Sequence, residues 1–228
     1  MRQKTARLFS RFSKAQLAIL KRLDTPVKVQ DFLDYRLEYN DDISDACLSP
    51  LGVMRHRRAH CLEGAMFAAA AFLFHGRVPL LLDLKADDSD DDHVIAPFLA
   101  GGRWGAVAQS HFCGLRFREP IYQSAAELAK SYFEFYYNDE GRKTLRAFSA
   151  PFSAAALKGD WLCGPDISSV GVKLDALRHY GLLRTRQNED LRRADSLLFE
   201  SEMLGAGKKP LTSRRARPYS QIAPSLKL

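Results

Sequence analysis

From Met66 to Phe74 the chain reads MFAAAAFLF, with no polar side chain, so no helical face is left for water. Such a segment is a helix buried on all sides. It is predicted from near Ala59 to Gly76, a residue suited to the left-handed position after a C-cap. Two helical patterns precede it, Ala15 to Leu23 and Val29 to Tyr39, with Thr25-Pro26 as the break between them. After it, Val78 to Lys85 reads as a strand, the acidic run Asp87 to Asp92 as a loop, and His93 to Leu99 as a second strand. Ala100-Gly101-Gly102 is a hairpin turn into a third strand, Arg103 to Ser110. A strand from Gly114 to Glu119 follows, then a helix opened by Ser124 with Glu127 three residues on, a capping-box spacing. Thr144 to Phe152 reads as another strand and Ser168 to Tyr180 as another helix. The expected fold class is α+β, a buried central helix packed on an antiparallel sheet.

The spacing also predicts where the elements meet. A helix of about 14 residues is roughly 21 Å long, and a strand of seven or eight residues spans roughly 25 Å. A first strand running back along the helix therefore returns to the level of Cys61, where His93 opens the next strand. With Gly101-Gly102 as a two-residue loop, Ala100 pairs with Arg103 and His93 faces Ser110; a three-residue loop brings Gln109 opposite His93 instead. In the first register His93, Ile95, Pro97 and Leu99 share a face with Ser110, Ala108, Ala106 and Trp104. That face, with its small alanines, is expected to lie on the helix.

Charge divides the 228 residues into three parts. The formal charge is +7, but residues 1–22 hold seven Lys/Arg and no acid, residues 205–228 hold six and no acid, and the stretch between is net negative. The domain reading is a basic helical segment over 1–24, a globular domain over 25–204, and a disordered basic tail over 205–228. Nucleic acid is expected as a partner only through that tail, and the acid-free first 22 residues also fit a transit peptide. No apolar run reaches the length of a spanning helix, so no membrane partner is expected. Four cysteines without a CxxC pair suggest reduced thiols and a cytoplasmic location. No oligomeric state can be read from the sequence.

Cys61 opens the buried helix, where first-turn N–H groups and the helix dipole favour thiolate over thiol. Paired with an imidazole, such a thiol is expected to ionise at about 4–7 rather than about 8.5, to attack a carbonyl, and to receive its leaving-group proton from the imidazolium. His93 is the expected base, and Ser110 or Gln109 the expected group holding its ring. These orienters are neutral and stabilise imidazolium less well than a carboxylate. The Cys61 N–H and one further donor would form the oxyanion hole.

Other clusters point elsewhere. His56, His60, His75, His111 and Cys113 could be imagined around zinc, but no HExxH or CxxC supports it. Reading Asp88, Asp90 and Asp92 as a calcium loop puts His93 at the turn glycine and Leu99 at the closing glutamate. No metal or cofactor is therefore expected. The stripe Tyr132, Phe133, Phe135, Tyr136, Tyr137 reads as core and groove wall.

The segments SPLGVMRHRRAHCLEGAMFAAAAFLFHGRVPLLLDL, DDDHVIAPF and GRWGAVAQS together resemble the core of the transglutaminase-like superfamily, in particular its bacterial single-domain members. The resemblance spans about residues 25–120. It implies a papain-like scaffold with Cys61 as nucleophile, His93 as base, no obligatory cofactor, and a peptide or protein amide as substrate. The activity implied is that of a cysteine hydrolase or acyltransferase working through a thioester. The family's Asp, a few residues after a Trp, has no counterpart here: Trp104 is present, but the window holds Ala108, Gln109 and Ser110. The alternative that follows is a catalytically silent domain of the same fold that binds a peptide or protein in its cleft.

Overall fold

The computed structural model describes residues 7–41, 46–183 and 191–206; nearly all of the predicted basic tail lies outside them. Helix α1 (Lys14–Arg22) is opened by Ser13, which accepts the Gln16 N–H in a capping box. Thr25-Pro26 separates it from helix α2 (Pro26–Arg36) by starting the second helix: Thr25 caps Lys28 N–H and Pro26 takes the first position, where its missing N–H costs nothing. This helix ends at Arg36, three residues before the predicted end, because β1 (Glu38–Tyr39) pairs in parallel with β2 (Arg58–Ala59). Between them lies α3 (Pro50–His56), which the sequence reading does not contain.

The central helix α4 (Cys61–Phe74) begins two residues later than predicted, with His60 as its N-cap, and is followed by Gly76 at φ +77°. Leu62 to Phe72 is buried throughout. Phe67 stacks on Phe32 of α2 with ring centroids 5.1 Å apart, and Phe72 meets Phe98 at 6.0 Å. Phe9, Phe12, Leu20 and Leu23 belong to the same hydrophobic cluster, so the N-terminal segment is built into this core. Each buried Phe, Met or Leu contributes about 1.5–3 kcal/mol.

The strands are β3 (Leu80–Ala86), β4 (His93–Ala100), β5 (Arg103–Val107), β6 (Arg118–Tyr122), β7 (Leu145–Ser149), β8 (Phe152–Ser153) and β9 (His179–Gly181). They form an antiparallel sheet in the order β6-β5-β4-β3-β7-β9, with β8 also on β3. Together with α5 (Ala125–Lys130), α6 (Ser168–Asp175) and α7 (Ser196–Ala206), this is an α+β arrangement. Gly101 and Gly102, both at positive φ, make the two-residue turn, and the ladder from Ala96↔Val107 to Ala100↔Arg103 takes the first of the two registers left open by the sequence.

The predicted face is corrected. Val94, Ala96, Phe98 and Val107 pack with the central helix, whereas Ile95, Ala106 and Ala108 join Leu128, Ala129, Tyr132 and Tyr136 in a second cluster. His93 shares the Ile95 side, and Leu99 is exposed.

Three element boundaries also differ. The third strand stops at Val107, so the ladder ends before it reaches His93 or Ser110. In place of a strand from Gly114, a short turn over Cys113–Leu115 leads into β6, and Phe135 packs where a Gly114 side chain would stand. The predicted helix Ser168 to Tyr180 ends at Asp175, and His179 opens β9 on the edge of the sheet.

Gly64, in the first turns of α4, lets the strand end approach. A Cβ there would stand 2.4 Å from the Cβ of Gln109. Gly64→Ala is therefore expected to lower unfolding stability by about 1–3 kcal/mol through overpacking, read as a reduced urea midpoint. An unchanged midpoint would show that helix and strand do not touch there.

Candidate active site

Cys61 is the first residue of α4, with its side chain half-buried. Its Sγ donates to the Asp92 carbonyl at 3.9 Å, and the backbone N–H groups of Leu62 and Val94 bond to the sulfur. The thiol thus touches the main chain on both sides of His93, at the point where β5 has parted from β4. Cys61 and His93 line one cavity of about 530 Å³ with Tyr39, Asn40, Ser110, Leu115 and Tyr136.

His93 is buried, its ring between Tyr132 and Tyr136 with centroids 6.4 Å from each. Its Nε2 lies 2.9 Å from the Leu115 carbonyl. A carbonyl only accepts, so Nε2 carries the proton and Nδ1 is the basic nitrogen. Neither predicted orienter holds this ring. Ser110 lines the cavity, but its Oγ accepts the Phe112 N–H at 3.1 Å, and Gln109 packs on Gly64 with its Oε1 lacking a partner among the described residues.

Leu115 has no polar side chain to mark it, yet its carbonyl is firmly placed. Arg116 ties its segment to the Ser110 carbonyl at 2.9 Å and to Asp34 at 3.4 Å. Arg118 lies 3.9 Å from the Tyr132 ring centroid and donates to the Gly114 and Ser131 carbonyls. Glu202 of α7 accepts the Gly114 N–H at 2.8 Å.

The other side of the cavity hangs on Glu63, a fully buried carboxylate. It accepts from Leu48 N at 2.7 Å, from His60 N at 2.8 Å, and from Asn40 Nδ2 at 3.0 and 3.2 Å. The acidic position two residues after Cys61 was visible in the sequence as a first-turn glutamate; its partners were not.

The charge state differs from the sequence expectation. Burial pushes the Cys61 thiol up to about 11, against the opposing pull of the Val94 and Leu62 N–H groups. Burial likewise takes His93 down to about 4, outweighing the Leu115 carbonyl. Both shifts favour a neutral thiol and a neutral imidazole, because burial penalises each charged form.

Among the described residues, two groups bring metal-type ligands together. Cys47 Sγ, His60 Nε2 and a Glu63 oxygen lie within 4.8 Å of one another. His60 Nδ1 accepts the Leu62 N–H at 3.3 Å, which leaves the ring proton on Nε2, the nitrogen a metal would need bare. In the second group, Asp83, Asp92 and Asp175, Lys85 already bridges the last two and His179 pairs with Asp83 at 2.9 Å.

No protein-family model matches the chain, and no curated protein matches it. Among solved structures, LapG of Legionella pneumophila is similar at 16% identity and TM-score 0.35, over 76% of this chain and 83% of that one. Its EGTA-treated form aligns at 15% and 0.33 over 76% and 83%, and its calcium-bound form at 11% and 0.33 over 75% and 87%. A superposition this loose leaves the site to be read from its own geometry. No helix among the described residues is long and apolar enough to cross a membrane.

Two outcomes follow. In an NMR titration the His93 ring is expected to hold its proton on Nε2 and stay neutral down to about pH 4; a midpoint between about 6 and 7, the ordinary range, would contradict its burial. Glu63→Ala removes a fully buried acceptor from three donors, Asn40 Nδ2 buried and the Leu48 and His60 N–H groups half-buried, and is expected to cost about 3 kcal/mol, read by chemical denaturation; a loss below about 0.5 kcal/mol, the scale of an ordinary surface substitution, would contradict the network.

Proposed function

We propose that the protein is a cysteine enzyme of the transglutaminase-like type, with a papain-like core, acting on an amide through a thioester on Cys61. The observation that carries this reading is the tautomer of His93: the Leu115 carbonyl holds Nε2, which leaves Nδ1 as a base in the cavity that Cys61 lines.

With both groups neutral at rest, thiol ionisation and imidazole protonation belong to one transfer rather than two separate steps. The Sγ–H proton passes to His93 as the sulfur–carbon bond forms, so each new charge is born beside its opposite. The collapsing tetrahedral species expels an amine that takes the proton from His93. Water then cleaves the thioester in hydrolysis, or a second amine does so in transfer. The Cys61 N–H, at the positive end of α4, is one oxyanion donor.

A main-chain carbonyl takes the place of the carboxylate behind the ring. It fixes orientation but adds no full negative charge to stabilise imidazolium. That observation favours the second reading, a silent module that binds a peptide or protein in the same cavity.

Iodoacetamide labelling of Cys61, mapped by mass spectrometry across pH, separates the two. If His93 is the base, the wild-type rate levels off above about pH 4, whereas His93→Ala reacts only as the thiol itself ionises toward about 11. At pH 7 the wild type is then expected to lead by about a hundredfold or more. Equal rates in the two proteins would leave the binding module.

A further inference from the structure

The cavity beside Cys61 is lined by several side-chain hydrogen-bond donors, and most of them are already committed. Asn40 Nδ2 bonds to Glu63 at 3.0 Å, the His111 ring to Asp41 at 2.7 Å, the Tyr136 hydroxyl to the Asp91 carbonyl at 2.6 Å and the Tyr137 hydroxyl to the Leu198 carbonyl at 3.4 Å. His60 Nε2 stands 3.5 Å from Cys47 Sγ. Ser110 Oγ is held on its own loop by the Phe112 N–H. Tyr39 differs: it lines the same cavity, and among the described residues its hydroxyl donates to no protein acceptor.

Backbone pairing sets where that hydroxyl stands. Tyr39 is registered beside Ala59 in the parallel β1–β2 pair, two residues before Cys61, and the Asn40 N–H bonds to the Ala59 carbonyl at 3.2 Å. Its ring lies against the His111 imidazole with centroids 3.8 Å apart, which holds the phenol along the cavity wall. Burial raises its ionisation above the ordinary value, and among the charged groups adding to that rise Cys61 comes first, ahead of Asp41, Asp91 and Glu63. The hydroxyl therefore keeps its proton at any working pH and lies within electrostatic reach of the sulfur.

We propose that the Tyr39 hydroxyl is the second oxyanion donor, completing with the Cys61 N–H a hole for the oxygen of the carbonyl that the sulfur attacks. The inference rests on the cysteine-enzyme reading and adds one catalytic residue to it. As the sulfur–carbon bond forms, the carbonyl π pair moves onto oxygen and the Sγ proton goes to His93 Nδ1. The phenol donates a hydrogen bond to that oxygen without giving up its own proton, and the pair returns to carbon as the leaving group departs. A hydrogen bond to an oxyanion is stronger than one to a neutral carbonyl, so the contact favours the intermediate over the bound substrate.

Two reagents applied to the full chain separate an oxyanion donor from a residue that only shapes the site. p-Nitrophenyl acetate acylates Cys61 through a tetrahedral oxyanion and releases p-nitrophenolate. Iodoacetamide alkylates the same sulfur by displacing iodide from a saturated carbon, with no oxyanion. Rates are taken for Cys61 alone, with the rate of Cys61→Ala subtracted. Tyr39→Phe keeps the ring and its place on His111; it is expected to slow the ester burst by about a hundredfold or more and to leave alkylation at the wild-type rate.

An ester rate unchanged in Tyr39→Phe, or a fall shared equally by both reagents, would overturn the inference. So would a loss confined to the ester that appears in Ser110→Ala instead. In each of these cases the enzyme reading stands if His93→Ala slows both reagents. Rates as fast in His93→Ala as in the wild type would remove the enzyme and the inference with it.

Discussion

A carboxylate without solvent contact, Glu63, anchors the start of a helix that is apolar on every side. Placing such a helix end indoors leaves first-turn N–H groups and nearby loop donors in need of acceptors. Glu63 answers with both oxygens, binding the N–H of His60 just before the helix, the N–H of Leu48 at the end of an incoming segment, and the side chain of Asn40. Cys61, Asn40 and the β1–β2 strand pair that carries Tyr39 are thereby set with respect to one another before any ligand arrives. The other wall is fixed by independent means, through Arg116, Arg118 and Glu202 around the turn that carries the Leu115 carbonyl. The cavity lies between two separately braced walls.

That bracing has a chemical consequence. Burial penalises charge, so the sulfur rests as thiol and the ring as free base even though the N–H of Leu62 at the helix start and the N–H of Val94 on β4 both bond to the sulfur. On the proposed reading, reactivity resides in a proton transfer that is coupled to bond formation. It does not reside in a stored ion pair.

Much of this was legible in the chain, and the failures have physical causes. The Gly101-Gly102 turn narrowed the β4–β5 register to two choices, of which the two-residue loop is the one found, because hairpin geometry is local. The face of β4 could not be phased: six consecutive residues from His93 to Phe98 are buried, so alternation carries no signal about which side meets the helix. The capping pair Ser124 and Glu127 and the Thr25-Pro26 start announced their helices. Ser49-Pro50 carried the same signal for α3 and was passed over. Cys61 and His93 were marked by their positions at element starts. Leu115 acts through a carbonyl that every residue possesses, and Asn40 acts through a partner 23 positions away, so neither leaves a trace in composition or spacing.

The most direct measurement is the separation of Cys61 Sγ from His93 Nδ1 in an experimental structure of the chain near neutral pH. The account predicts the two atoms within about 5 Å, close enough to close on a substrate, with Nε2 still on the Leu115 carbonyl. A ring turned so that Nδ1 is buried against Tyr132, with the sulfur on the far side of β4, would contradict it.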